Sequence, residues 1–218
     1  DYVYPHMADV TLPSKISITE IKRKINAEND NDMPKFSSLV RGVPDFMKKT
    51  DTITAAQKGT IYHTIMEHIN FKEKIEPEKL IDGLVDKGIL SLEEKNAVSI
   101  DKISEFTLSD LFSRIKSASR IYKEVPFVMS IKASRLKEYE NAAGNLVVHG
   151  IIDLYFEEEN ELVIVDYKTD RIIKNTEELR NKYKIQLELY KEALEKNTGK
   201  RVKECLIYSI DRGETINV

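Results

Sequence analysis

This chain of 218 residues has one cysteine, no tryptophan and few glycines, and it contains no long apolar run. The lone Cys205 excludes an internal disulfide. It equally excludes a four-cysteine zinc or iron–sulfur site built within the chain. No apolar stretch approaches the length of a bilayer span, and the Asp1-Tyr2-Val3-Tyr4 start shows no basic region followed by an apolar core. A reducing, cytoplasmic setting without a membrane is therefore expected. There is no excess of positive charge either. The formal net charge is -3, which speaks against a protein that coats nucleic acid by bulk charge. A Gly-x-x-x-x-Gly-Lys-Ser/Thr loop is missing, so ATP hydrolysis by this segment is not expected. The first residue is not Met, which reads as a fragment of a longer protein.

What is present is organised around one hairpin. Gly150–Phe156 and Glu161–Lys168 are two runs rich in Val, Ile, Phe and Tyr, separated by the acidic turn Glu157–Asn160. Asp166 and Lys168 are two apart and share a strand face. A turn centred on Glu159 and Asn160 sets Asp153 directly opposite Asp166. Facing residues on one side of a pair lie roughly 4.5–5.5 Å apart at Cβ, so two carboxylates there repel unless a cation stands between them. A solvated acid pair with a surface lysine is the bland alternative. Against it, both acids interrupt apolar strands. Asp153, Asp166 and Lys168 thus read as a metal-dependent catalytic centre. Two carboxylates and a backbone carbonyl make a hard oxygen cage suited to Mg²⁺ or Mn²⁺. The reaction class is phosphodiester hydrolysis.

The remaining chain reads as helices before strands. Residues 1–13 are irregular, with Pro5 and Pro13 as breakers. Ser17 and Glu20 form a capping box for a helix to about Asn26 with an Ile18, Ile21, Ile25 stripe. Residues from Asn29 to Asp51 are irregular, with Lys35, Arg41, Lys48 and Lys49 as scattered charges. A helix over Ala55–Asn70 follows Thr52 or Thr54. It carries Gly59, His63 and Glu67 on one face and Ile61, Ile65 and Ile69 on another. Gly59 suggests close approach to that face. His63 is either a metal ligand or a half-buried, hydrogen-bonded histidine, and spacing alone favours the second.

Further helices are expected over Glu76–Lys87, from Leu92 to about Ile103, and over Ser109–Ser119 after a cap signal at Thr107 and Asp110. Leu80, Leu84, Leu108, Leu111, Phe112 and Ile115 should pack this lobe. A strand over Lys123–Ile131 has Pro126 as an edge or bulge signal. Glu124 at its start is either a third carboxylate near the metal or a surface residue. A helix from Thr176 to Asn197 puts Leu179, Tyr183, Gln186, Tyr190 and Ala193 on one face, and Lys203–Asp211 is a last strand. The fold class is α/β, a mixed sheet flanked by helices with an N-terminal helical lobe. Residues 1–120 form that lobe and 121–218 the core, together one domain.

Gly59-x-x-x-His63, Gly150-x-x-Asp153, Asp166-Tyr167-Lys168-Thr169 and Gln186-x-x-x-Tyr190 occur in the order seen in RecB-type PD-(D/E)xK nucleases, and the chain resembles that family. Leu12-Pro13-Ser14-Lys15-Ile16-Ser17-Ile18-Thr19-Glu20-Ile21-Lys22-Arg23, Gly59-Thr60-Ile61-Tyr62-His63-Thr64 and Glu124-Val125-Pro126-Phe127 resemble the C-terminal nuclease domain of AddA-type subunits of bacterial AddAB helicase–nucleases. The resemblance runs from about residue 12 to 211. It implies a restriction-endonuclease-like core. It implies that His63, Asp153, Asp166 and the Tyr167 carbonyl bind the metal, that Lys168 is catalytic, and that Gln186 and Tyr190 support the site or contact DNA. It implies a Mg²⁺-dependent exodeoxyribonuclease, with Mn²⁺ as substitute. Its substrate would be a single strand delivered by an ATP-driven helicase region of the parent chain, with an AddB-like partner subunit, in double-strand-break repair and recombination. The missing cysteines separate it from the iron–sulfur branch. Ile152, where the motif's name has proline, is a form common in the RecB branch. The alternative is a catalytically silent DNA-guiding or subunit-docking module of the same fold.

Overall fold

The computed structural model describes residues 7–10, 12–29, 53–169 and 175–218. The chain begins with a helical turn α1 (Met7–Val10) inside a segment expected to be irregular, then a two-residue strand β1 (Ile16–Ser17) and α2 (Ile18–Asn29). The Ser17 hydroxyl accepts from the Glu20 amide at 3.2 Å, as the cap signal required. Asn29, expected to open an irregular stretch that runs to Asp51, still belongs to α2. The remainder of that stretch, with its lysines and arginine, lies outside the described residues, as does Thr52. α3 (Ala55–His68) starts at Thr54, whose hydroxyl and the Gln57 side chain cap each other's backbone amides.

α4 (Pro77–Asp86), α5 (Leu92–Ala97), α6 (Ile100–Thr107) and α7 (Asp110–Ser117) complete the lobe. The single helix expected from Leu92 to Ile103 is two, broken at Val98 and Ser99, where the backbone is extended. β-branched Val98 and cap-forming Ser99 are weak helix formers, and the break lets α6 turn Ile103 and Phe106 inward. Thr107 ends α6 rather than capping α7, which Ser109 caps by accepting from Phe112 at 3.1 Å. Leu108 is a correction of the same origin. It occupies the turn between α6 and α7 and is 85% exposed, not packed in the lobe.

Strands β2 (Ile121–Lys132), β3 (Asn145–Glu158) and β4 (Glu161–Lys168) form a meander. The connection from β3 to β4 is the two-residue turn Glu159–Asn160, with φ of 54° and 67°. A turn with two positive φ values matches the right-handed strand twist. α8 (Thr176–Thr198) ends at left-handed Gly199, where φ is 68°. β5 (Val202–Ser209) and β6 (Glu214–Asn217) follow. β1 and β6 are too short to leave a pattern in the sequence. β2, an edge strand as Pro126 indicated, runs along one side of β3. The other side of β3 takes β1 in parallel at Val148–His149 and then β4 from Leu154 onward. β5 joins β4 in parallel and β6 closes antiparallel.

Two cores lie on the two sheet faces. α2 and α8 cover one, with Ile18, Ile21, Leu187 and Tyr190 against Val148, Ile152 and Ile164. α3 to α7 cover the other, with Ile65, Phe106 and Ile115 against Leu154, Val165 and Tyr208. Among the described residues no helix is long and apolar enough to cross a membrane. Arg114 of α7 ties the lobe to the sheet. Its Nε and Nη2 donate to both Glu158 oxygens at 3.1 and 2.8 Å, and Nη1 to Glu204 at 2.9 Å. A planar fork makes such paired bonds and an ammonium does not. Arg114→Ala should therefore lower unfolding stability by about 1–2 kcal/mol in urea titration, after allowing for partial exposure, and Arg114→Lys should restore little of it.

Candidate metal centre and active site

Side chains in a strand alternate between faces. Here β2 and β3 both change parity at one cross-strand position. Phe127, Met129 and Ile131 in β2 and Leu146, Val148 and Ile152 in β3 pack under α2 and α8. Beyond Glu124 and Asp153, Ile121 of β2 and Leu154 and Phe156 of β3 pack under the helical lobe. The register holds on either side, with Lys123 against Leu154 and Val125 against Ile152. The cause is Glu124, which sits at φ 48° within the strand. That conformation is costly for a residue with a Cβ, and such strain collects at functional sites. It turns Glu124 toward Asp153.

His63 of α3 reaches the same point from the lobe. Its Nδ1 is 3.5 Å from Asp153 Oδ2. Ligand-capable atoms of His63, Glu124 and Asp153 all lie within 4.8 Å of one another. The bland reading of His63 as merely half-buried thus gives way to a histidine aimed at two acids. Gly59, one turn earlier, makes the approach possible, because a Cβ there would stand 3.2 Å from Thr169 Oγ1. Tyr167 lies edge-on to His63, with ring centroids 6.2 Å apart, and its amide donates to Asp153 Oδ2 at 2.9 Å.

Asp166 is fully buried, and its partners are different. The β3–β4 ladder ends at Leu154–Val165, and the next step of that register sets Asp153 against Asp166. Gln186 Nε2 donates to Asp166 Oδ1 at 3.1 Å and to the Tyr190 hydroxyl at 2.8 Å. The Lys168 ammonium pairs with Asp166 Oδ2 and donates to the Tyr167 carbonyl at 3.2 Å. The Tyr183 ring stands 4.8 Å from that ammonium. All the residues expected at the site are therefore gathered, but in two subsets. His63 and Asp153 cluster with Glu124, while Lys168 bridges Asp166 and the Tyr167 carbonyl. Glu124 was ambiguous in the sequence because nothing about a glutamate announces a left-handed φ.

The electrostatics suit a cation. Burial, then the charge of Asp166, pushes the Asp153 carboxyl up to about 7. Burial, then Asp153, pushes Glu124 up to about 7. Burial, then Lys168, lowers His63, so its imidazole stays neutral with a lone pair to give. Two acids reluctant to ionise and a neutral imidazole within reach form a donor set that a divalent ion would fit.

Residues 36–217 match the family model of the PD-(D/E)XK nuclease superfamily. The chain belongs to that superfamily. The mixed sheet flanked by helices agrees with the restriction-endonuclease-like fold expected of it. Curated relatives include three A-type subunits of ATP-dependent helicase/nucleases. One from Thermoanaerobacter sp. is 38% identical over 227 residues, covering 99% of this chain. One from Alkaliphilus metalliredigens is 35% identical over 217 residues, covering 97%. One from Clostridium acetobutylicum is 34% identical over 234 residues, covering the whole chain. The chain spans 18% of the length of each. Asp166-Tyr167-Lys168 has the Asp-x-Lys spacing in the superfamily's name, and the β3–β4 register carries Asp153 toward Asp166.

Proposed function

We propose that this nuclease domain is a divalent-metal-dependent deoxyribonuclease that hydrolyses phosphodiester bonds. The observation that carries the reading is the convergence of His63, Glu124 and Asp153 on one point beside the Asp166–Lys168 pair. His63 Nδ1, the carboxylates of Asp153, Glu124 and Asp166, and the Tyr167 carbonyl are the donors proposed to hold Mg²⁺ or Mn²⁺. Such an ion, when bound, polarises a phosphoryl oxygen and makes water more acidic. The protein's own groups do the rest. Lys168 would hydrogen-bond the phosphate and offset the charge that builds on it as the water oxygen joins phosphorus and the P–O bond to the sugar breaks. The departing sugar oxygen takes up a proton. Gln186 fixes Asp166 through one N–H and Tyr190 through the other, so neither acid oxygen nor hydroxyl wanders.

The relatives' shared name supports a helicase region and a further subunit, and the family resemblance supports the rest of a finer reading. The domain would work as an exonuclease on a single strand fed by an ATP-dependent helicase region of a longer cytoplasmic chain, beside a second, partner protein, in DNA repair and recombination. Residues 1–120 and 121–218 would act as one nuclease unit, the lobe supplying His63.

Incubation of the 218-residue protein with end-labelled single-stranded DNA tests the core of this. Cleavage that requires Mn²⁺ and stops with EDTA is expected. Mn²⁺ at about 100 times its Kd should stabilise the fold by about 2.7 kcal/mol, or roughly 5–10 °C in melting temperature. His63→Ala and Glu124→Ala should each shrink that shift. A silent guiding module would bind DNA and give neither result.

A further inference from the structure

The outer face of the β2–β3 ribbon carries apolar side chains that nothing among the described residues covers. Pro126 faces Ile151, Val128 faces His149 and Ser130 faces Val147 in directly opposed pairs. Val128, Ile151 and Val147 are 63%, 51% and 39% exposed. They border a groove of about 670 Å³ whose other rim is Lys15, Ser17 and Thr19, at the start of α2. Gly150 also lines it, and a Cβ there would lie 2.9 Å from the buried Phe127 ring, so the strand packs tightly on that ring. Tyr190 forms its inner end. The hydroxyl of that same Tyr190 is held by Gln186, which also holds Asp166. The groove therefore ends at a residue that Gln186 links to Asp166.

Resting on the nuclease reading above, we propose that this groove binds the single-stranded DNA flanking the scissile phosphate. Length fits. Ile151 and His149 lie two and four residues before Asp153 on β3, roughly 7 and 13 Å away at strand rise. At about 3.4 Å or more per nucleotide, that holds at most the first two to four nucleotides beside the cut. Chemistry fits as well. Only an unpaired strand exposes base faces for an apolar floor, and a duplex hides them. Lys15 and the hydroxyls of Ser17 and Thr19 offer phosphate contacts along one rim. No side chain on this floor can read a full base edge except His149, so binding is sequence-tolerant. Thr19 and Ser17 sit on the rim rather than the floor, so the phosphates run along β1 and the first turn of α2.

The test uses Val128→Glu and Lys15→Glu, with Val147→Gln as a milder substitute should Val128→Glu fail to fold. Binding of a fluorescent oligothymidylate is followed by anisotropy in EDTA. Cleavage of that oligonucleotide is compared, in Mn²⁺, with cleavage of bis(p-nitrophenyl) phosphate, which has no flanking nucleotides. Each glutamate variant should weaken oligonucleotide binding on the order of tenfold and lower the oligonucleotide-to-small-diester cleavage ratio by a similar factor. Wild-type affinity in both variants overturns the proposal. So does a wild-type dimer in sedimentation that Val128→Glu dissolves, which would make this face a contact between copies. A wild-type protein that cleaves neither substrate refutes the nuclease reading instead, and anisotropy alone then decides the groove.

Discussion

Asp153→Asn is expected to abolish cleavage of single-stranded DNA, by on the order of a thousandfold, and at the same time to raise the melting temperature in metal-free buffer at pH 8. The two effects share one cause. Burial and the nearby charge of Asp166 push the Asp153 carboxyl up to about 7. A carboxyl with a raised pKa binds its proton more tightly in the folded protein than in the unfolded chain. Stability contributed by that group therefore falls as pH rises from about 3.8 to about 7, and above pH 7 the ionised acid is a net cost. Asparagine removes the charge, and its amide oxygen can still accept from the Tyr167 N–H that Asp153 Oδ2 now receives at 2.9 Å. With one pKa unit equal to about 1.4 kcal/mol, the gain is on the order of 2–4 kcal/mol and amounts to several degrees. The same substitution at pH 4 should change the melting temperature little, since Asp153 is protonated there in the folded state. Thermal melts at both pH values check the sign. A variant that loses activity and stability together would make Asp153 a structural acid.

Glu124 belongs to the same argument. Its carboxyl is pushed up to about 7 by burial and by Asp153, and its backbone is held at φ 48°. The fold thus tolerates, at one cross-strand position, both a strained residue and two acids that resist ionisation. Sites that carry such costs do so because the arrangement serves a ligand absent from the sum.

How much of this could be read from the chain follows from the range of each interaction. The hairpin was legible because its determinants are local. A polar two-residue turn between apolar strands fixes the register, and the register sets Asp153 against Asp166 without reference to the rest of the molecule. The Gln186 and Tyr190 stripe on α8 was legible for the same reason, as a helical period. His63 was not, because its meeting with Asp153 depends on how α3 packs across the sheet, and spacing along α3 carries no such information. Only the resemblance to RecB-type nucleases pointed there. Glu124 was left open because a parity change in two strands at once is invisible to a period-two pattern. Leu108 misled for the converse reason. It continues an apolar sequence pattern into a turn, where the chain's direction, not its hydropathy, decides exposure. The short strands β1 and β6 depend on pairing with β3 and β5 and leave no pattern of their own.

Lys168→Met should separate catalysis from metal binding, and in metal-free buffer its stability effect should run opposite to that of Asp153→Asn. Methionine keeps the unbranched stem and loses the ammonium. The fully buried Asp166 then lacks the cation on its Oδ2, and the Tyr167 carbonyl loses its donor. Removing one partner of a buried pair costs about 3–5 kcal/mol, so the variant should melt several degrees lower. Mn²⁺ offers Asp166 and the Tyr167 carbonyl a replacement cation. The Mn²⁺-induced rise in melting temperature should therefore be retained, and be larger than in the wild type. Cleavage should nonetheless stay down by about 100- to 1000-fold with saturating Mn²⁺, because the ion cannot also supply the donor that Lys168 presents to the phosphate. The loss should fall on kcat, with KM for the oligonucleotide little changed, if Lys168 acts at the reacting centre as proposed and not along the flanking groove. If Mn²⁺ instead restored both stability and cleavage, Lys168 would be a counter-ion that the metal replaces, and its catalytic role would have to be given to another group.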